Sequence, residues 1–64
     1  MTNEEHQKVI DELQVVSDDI QATLKRFEDT GKNEKMPADY DKLLVILDET
    51  IKQQREHTKA MLSN

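Results

Sequence analysis

Two histidines are the most versatile of the few residues in this 64-residue chain that could do chemistry. His6 and His57 are the only imidazoles, and a glutamate precedes each of them, Glu5 and Glu56. Two imidazoles and two carboxylates together could ligate a metal ion. Neither histidine belongs to an E-x-x-H or H-E-x-x-H sequence, in which both ligands would project from one helical face. The pattern therefore favours two boundary histidines over a metal site, and we expect no metal and no cofactor.

Other catalytic groups find even less support in the sequence. There is no cysteine, and the serines are Ser17 and Ser63, with no pattern that would activate either as a nucleophile. A single glycine excludes a glycine-rich loop that cradles phosphate. General acid or base work needs a carboxyl group in a dry pocket, and a chain with only two aromatic residues has little material for one. We expect no enzymatic activity.

The elements that must position these residues are marked by the only glycine and the only proline. Gly31 suits the residue after a helix, and Pro37 suits the first turn of the next one. Asp39, capping a start at Tyr40, is an alternative beginning for the second helix. The segment Thr2-Asn3-Glu4-Glu5 matches a capping box. The sequence predicts one domain, 1–64, with helix 1 over about 3–30, a loop over about 31–36 and helix 2 over about 37–62.

Apolar residues recur along both helices with a seven-residue period that is typical of helix bundles. A short loop then folds the chain back on itself, with Phe27 opposite Tyr40 and His6 opposite Met61. The predicted fold is all-α, an antiparallel helical hairpin of two long helices. The predicted hairpin core consists of Leu13, Val16, Ile20, Leu24, Phe27, Tyr40, Leu44, Leu47 and Ile51.

Five consecutive apolar residues, 43–47, point to all sides of helix 2, so one neighbouring helix cannot cover them all. A chain under about 70 residues rarely gains more than about 3–5 kcal/mol from its own core, and oligomerisation is a common remedy. We therefore expect a homo-oligomer, a dimer of hairpins that forms a four-helix bundle. Its predicted interface comprises Val15, Leu43, Val45 and Ile46.

Negative charge is concentrated on helix 1. The net charge of the chain is −5, and residues 1–31 hold eight acids and three bases, whereas 32–64 hold six of each. Acidic pairs recur every seven residues and form a stripe along the helix. This stripe could dock on a basic surface of a partner protein, imitate a phosphate backbone, or only keep the face solvated. Its predicted partner-binding residues are Glu5, Asp11, Glu12, Asp18 and Asp19.

Helix 2 carries the opposing basic patch, Lys52, Arg55 and Lys59, spaced along one exposed side. In a dimer, two such patches could bind RNA or DNA. The excess of acid repels phosphate backbones, and no aromatic residue is interleaved with the three cations. The patch therefore supports only an alternative function, with nucleic acid a less favoured partner.

These patterns together favour a small protein-binding module, a regulator, inhibitor or adaptor that docks through the acidic face of helix 1 and exposed apolar residues. The alternatives are a dimeric hairpin that binds RNA or DNA, an inhibitor that imitates nucleic acid, and a structural component of an assembly. The N-terminal residues resemble no secretory signal, and no apolar run approaches the roughly 18 residues of a membrane span. We expect a cytoplasmic protein with no membrane contact.

Overall fold

A computed structural model of the protein describes residues 1–63, and this part of the chain is all-helical, with no strand. It consists of α1 (Asn3–Asp29), the single turn α2 (Lys32–Lys35) and α3 (Pro37–Leu62). The two long helices lie side by side in a molecule that measures 46 × 15 × 12 Å. The first helix ends one residue before the predicted position, and the predicted loop contains the short helix α2.

The start of α1 is fixed by the capping box. The Thr2 hydroxyl accepts from the Glu5 backbone N–H at 3.2 Å, and the Glu5 carboxylate accepts from the Thr2 backbone N–H at 3.0 Å. These bonds satisfy backbone donors that have no partner within the helix. The backbone N–H of Thr2 and then its hydroxyl lower the pKa of Glu5, because both favour the charged carboxylate.

The reversal between α1 and α3 depends on Gly31, whose φ of 74° is left-handed. A residue with a Cβ is strained in this conformation, so glycine is the natural choice. The chain then makes the single turn α2, closed by a hydrogen bond from the Met36 N–H to the Lys32 carbonyl at 2.6 Å. Pro37 is the first residue of α3, where its missing N–H costs nothing.

Contacts at both ends of the helix pair show that α1 and α3 are antiparallel. Next to the turn, the rings of Phe27 and Tyr40 stack with centroids 6.3 Å apart. At the open end, His6 contacts His57. The predicted pairing of Phe27 with Tyr40 is therefore present, whereas His6 pairs with His57, one turn before its predicted neighbour Met61.

The centre of the helix pair is small and partly polar. Ile20 and Leu24 are the buried apolar side chains of the described residues, and Ser17 and Thr50 are buried with them. The two hydroxyl groups form hydrogen bonds within their own helices: Ser17 accepts from the Gln21 amide at 3.2 Å, and Thr50 donates to the Ile46 carbonyl at 2.8 Å. Local bonds of this kind let short polar residues occupy a helix interface without an unpaired group.

The face of α1 that meets α3 differs by part of a turn from the predicted one. Val16 and Leu44, both predicted in the core, are 44% and 42% exposed and lie at its edges. Ser17 is buried in place of Val16. The residues that face α3 follow one another in alternating steps of four and three, at positions 6, 10, 13, 17, 20, 24 and 27. Five further residues that were predicted in the core are half-buried in the structure: Leu13, Phe27, Tyr40, Leu47 and Ile51.

Candidate functional site

The helix pair has two sides, and each side carries a groove between α1 and α3. Gln14 of α1 lines one groove, and Thr23 of α1 lines the other. These residues are separated by about two and a half helical turns, so they lie on opposite flanks of α1. Any surface of this molecule that binds a partner can therefore be assigned to one of two sides or to the outer face of a helix.

The larger groove, of about 450 Å³, lies in the half of the molecule that is distant from the turn, and we call it the basic groove. Its floor includes Ile10 and Ile51, and its only charged residues are Arg55 and Lys59. The remaining lining residues are Gln14, Gln54 and Thr58. An apolar floor with cations at the rim suits an acidic helix that also carries aliphatic side chains.

Gln54 links the two helices inside the basic groove. Its side-chain N–H groups donate to the Ile10 backbone carbonyl and to the Gln14 amide oxygen, each at 3.1 Å. The sequence indicated that Gln54 could fix the pairing of the helices, but it offered no sign that a main-chain carbonyl would be the acceptor. This contact places residues 10–14 of α1 at the height of residue 54 of α3.

The smaller groove, of about 300 Å³, lies next to the turn on the other side, and we call it the turn groove. The half-buried side chains of Phe27 and Leu43 and the exposed Ile46 form its apolar part. Lys42 and Asp39 provide one charge of each sign. Leu43 and Ile46 were predicted to lie at an oligomer interface, and both lie in this groove.

The predicted acidic site divides into two rows along α1. Asp11 and Asp18 accept hydrogen bonds from the Gln7 and Gln14 amides, each at 2.9 Å, on the side of the basic groove. Glu5, Glu12 and Asp19 repeat every seven residues on the side of the turn groove. All five acidic residues are exposed, and the capping contact with Thr2 occupies Glu5.

Between the two acidic rows lies Val15, which is 61% exposed on the outer face of α1. Helical periodicity places it directly opposite the face that packs on α3. Val45 is 60% exposed and occupies the equivalent outer position on α3. Neither valine contributes to the contact between the helices, so both remain free for contact with another molecule.

The two histidines form the closest polar contact between α1 and α3. Their Nδ1 atoms lie 2.8 Å apart and their ring centroids 5.1 Å apart, with His6 buried and His57 half-buried. One Nδ1–H donates to the other Nδ1, so at least one ring must be neutral at that atom. Among residues 1–63, no three His, Cys, Asp or Glu side chains are grouped closely enough to hold a metal ion.

Tyr40 is a second titratable residue, after Glu5, whose surroundings shift its pKa. Its hydroxyl donates to the Glu28 carboxylate at 3.2 Å, close to the turn. Partial burial, and after it the negative charge of Glu28, raise the pKa of the Tyr40 phenol. This contact joins the end of α1 to the beginning of α3 across the turn.

The predicted nucleic-acid patch is divided by the structure. Arg55 and Lys59 line the basic groove, whereas Lys52 is exposed outside it. The aromatic rings of Phe27 and Tyr40 lie at the opposite end, next to the turn. Stacking of nucleobases on aromatic side chains often supports the binding of single-stranded nucleic acid. Neither of these two rings lies beside the three cations.

Comparison of the chain with protein-family models, with curated proteins and with solved structures gives no match. Neither long helix has, within the described residues, an apolar stretch that could cross a membrane.

Proposed function

We propose that the protein is a self-associating, non-enzymatic protein-binding module that acts as a regulator, inhibitor or adaptor. The observation that carries this proposal is the outer face of α1, where the exposed Val15 lies between two rows of exposed carboxylates. A side chain of this size left in water forgoes roughly 1.5–3 kcal/mol of burial. An apolar centre with an acidic rim is suited to a protein surface with an apolar centre and a basic rim.

Self-association accounts for a second feature, the small interior of the helix pair. The described part of the chain buries only Ile20 and Leu24 as apolar side chains, while Leu44, Val45 and Ile46 are exposed in succession. A second helix pair packed against one side would cover some of these side chains and form a four-helix bundle. A cytoplasmic regulator with this architecture would act by occlusion or tethering, without making or breaking a bond.

Sedimentation equilibrium tests the self-association. We expect a dimer at micromolar concentration, and a melting temperature that rises with protein concentration because dimerisation stabilises the folded state by mass action. A folded species of 7.5 kDa at every concentration, with a constant melting temperature, would contradict the dimer.

Charge reversal on the outer face of α1 tests the docking surface. The change Glu12→Lys with Asp19→Lys should leave the helical content unchanged and reduce capture of the partner at least about tenfold, because each reversal replaces attraction by repulsion. The measurement is quantitative mass spectrometry of proteins bound by the immobilised chain in extract of its own cells, with binding then repeated on the purified partner.

The control carries the same change in charge at another exposed place, Asp29→Lys with Glu34→Lys beside the turn. This control should bind the partner as the unchanged protein does. Equal loss in both variants would show a general effect of net charge, and no loss in either would remove the acidic face from the proposal.

A further inference from the structure

We infer that the basic groove is occupied by α1 of a second copy of this chain, with Asp11 of one copy next to Arg55 of the other. The inference rests on the self-association proposed above and specifies which side of the helix pair is covered. It follows from the height of each residue along the molecule and from the charges that border the two grooves.

The heights are fixed by contacts within one chain. Gln54 bonds to Ile10 and Gln14, so the neighbouring Asp11 and Arg55 lie at similar heights. The contact between Phe27 and Tyr40 shows that these two residues also lie at similar heights, next to the turn. If a two-fold axis runs parallel to the helices, it preserves these heights and places α1 of each copy against α3 of the other, antiparallel to it.

On the side of the basic groove, this arrangement places residues of α1 next to residues of mostly opposite charge on α3 of the second copy. The row of α1 that includes Asp11 continues to Asp18 and Lys25, seven residues apart. Two contacts are attractive and one is repulsive, and each occurs twice in the dimer. The attractive pairs are Asp11 with Arg55 and Lys25 with Asp41, and the repulsive pair is Asp18 with Asp48.

On the side of the turn groove, the same arrangement joins only like charges. Three residues of the corresponding row on α1 each meet a residue of their own sign on α3. These pairs are Glu12 with Glu56, Asp19 with Glu49, and Arg26 with Lys42. Because like charges placed together oppose an interface, the basic groove is the side that accepts the second copy.

Packing on this side also covers apolar surface. The exposed side chain of Leu44 and the half-buried Ile51 belong to the flank of α3 that borders the basic groove. The flank of α1 that would meet them carries Gln7, Gln14 and Gln21, whose amides can bond across the interface as Gln54 does within the chain. The dimer therefore takes up the row of Asp11 and Asp18, whereas Glu12 and Asp19 stay on the other side and remain accessible to a partner protein.

Two single variants test the arrangement when they are mixed. In Asp11→Arg, each copy presents arginine at both 11 and 55, and in Arg55→Asp each presents aspartate at both positions. Either variant alone places like charges together, so we expect its dimer dissociation constant to rise about tenfold. In a mixed dimer every such contact is opposite in charge. An equimolar mixture should therefore contain heterodimers well in excess of the half of all dimers that random pairing gives, and native mass spectrometry resolves them by mass.

The control is Glu12→Arg, which makes the equivalent change on the other side of α1. It should dimerise as the unchanged protein does, and circular dichroism should show equal helical content in all the variants. Heterodimers that make up half of all dimers or fewer, the share that random pairing gives, would overturn the inference, as would a strong effect of Glu12→Arg alone. A monomeric unchanged protein would instead refute the self-association itself, so the two failures are distinguishable.

Discussion

The change Leu24→Ala is expected to unfold a large fraction of the protein at room temperature. Leu24 is 6% exposed and is one of two buried aliphatic side chains in the described residues. Deleting a buried leucine side chain costs about 2–5 kcal/mol, through lost burial and the cavity that remains. A chain of this length has about 3–5 kcal/mol available from its core. Urea unfolding followed by far-ultraviolet circular dichroism, at one fixed protein concentration, measures the loss.

The matched control is Leu62→Ala, since Leu62 is 81% exposed in the last turn of α3. The same chemical change there should alter the free energy of unfolding by no more than about 0.5 kcal/mol. Similar losses from the two variants would show that the interior of the molecule is not where the structure places it.

The change His57→Ala is expected to lower the free energy of unfolding by about 1–3 kcal/mol, because it leaves the buried His6 without the hydrogen bond that joins the two Nδ1 atoms. The contact between the two rings at the open end of the helix pair is lost as well. Urea unfolding at one fixed pH and one protein concentration measures the loss.

The variant His57→Gln provides the matched control. Its amide oxygen can accept a hydrogen bond from the His6 ring, so this variant should retain more of the free energy of unfolding than His57→Ala does. Nuclear magnetic resonance should show that residues at the open end lose helical order first in His57→Ala. Equal losses from the two variants would contradict a stabilising role for the hydrogen bond.

Helix boundaries could be predicted closely because their signals are local. The capping box at Thr2 and Glu5 and the proline at the start of α3 act within a single turn of chain, and the structure contains both. The turn α2 was not expected, since four polar residues between Gly31 and Pro37 give no periodic pattern. A single hydrogen-bonded turn there requires only that Gly31 reverse the chain first.

The exact face between the helices could not be predicted because it depends on both helices at once. The sequence favoured Val16 as an interior residue since it is aliphatic, yet Ser17 is the residue buried there. A serine or threonine whose hydroxyl is bonded within its own helix is as acceptable as a valine, and its small size lets the backbones approach. Hydrophobic pattern alone cannot detect this. The acidic stripe could be predicted, whereas its division into two rows became visible only when the face toward α3 was known.

Gly31 has a stereochemical consequence. Its φ of 74° disfavours any L-residue, yet no heavy atom beyond the two adjacent residues lies within 4 Å of the place where the Cβ of an L-residue would be built. The obstacle for an L-residue is thus handedness and not space, and the same backbone conformation is a favoured one for a D-alanine introduced by chemical synthesis. By restricting the unfolded chain, such a mirror-image residue would stabilise the reversal by about 0.4–1 kcal/mol. The turn is therefore a site where an achiral residue performs the task of a D-amino acid.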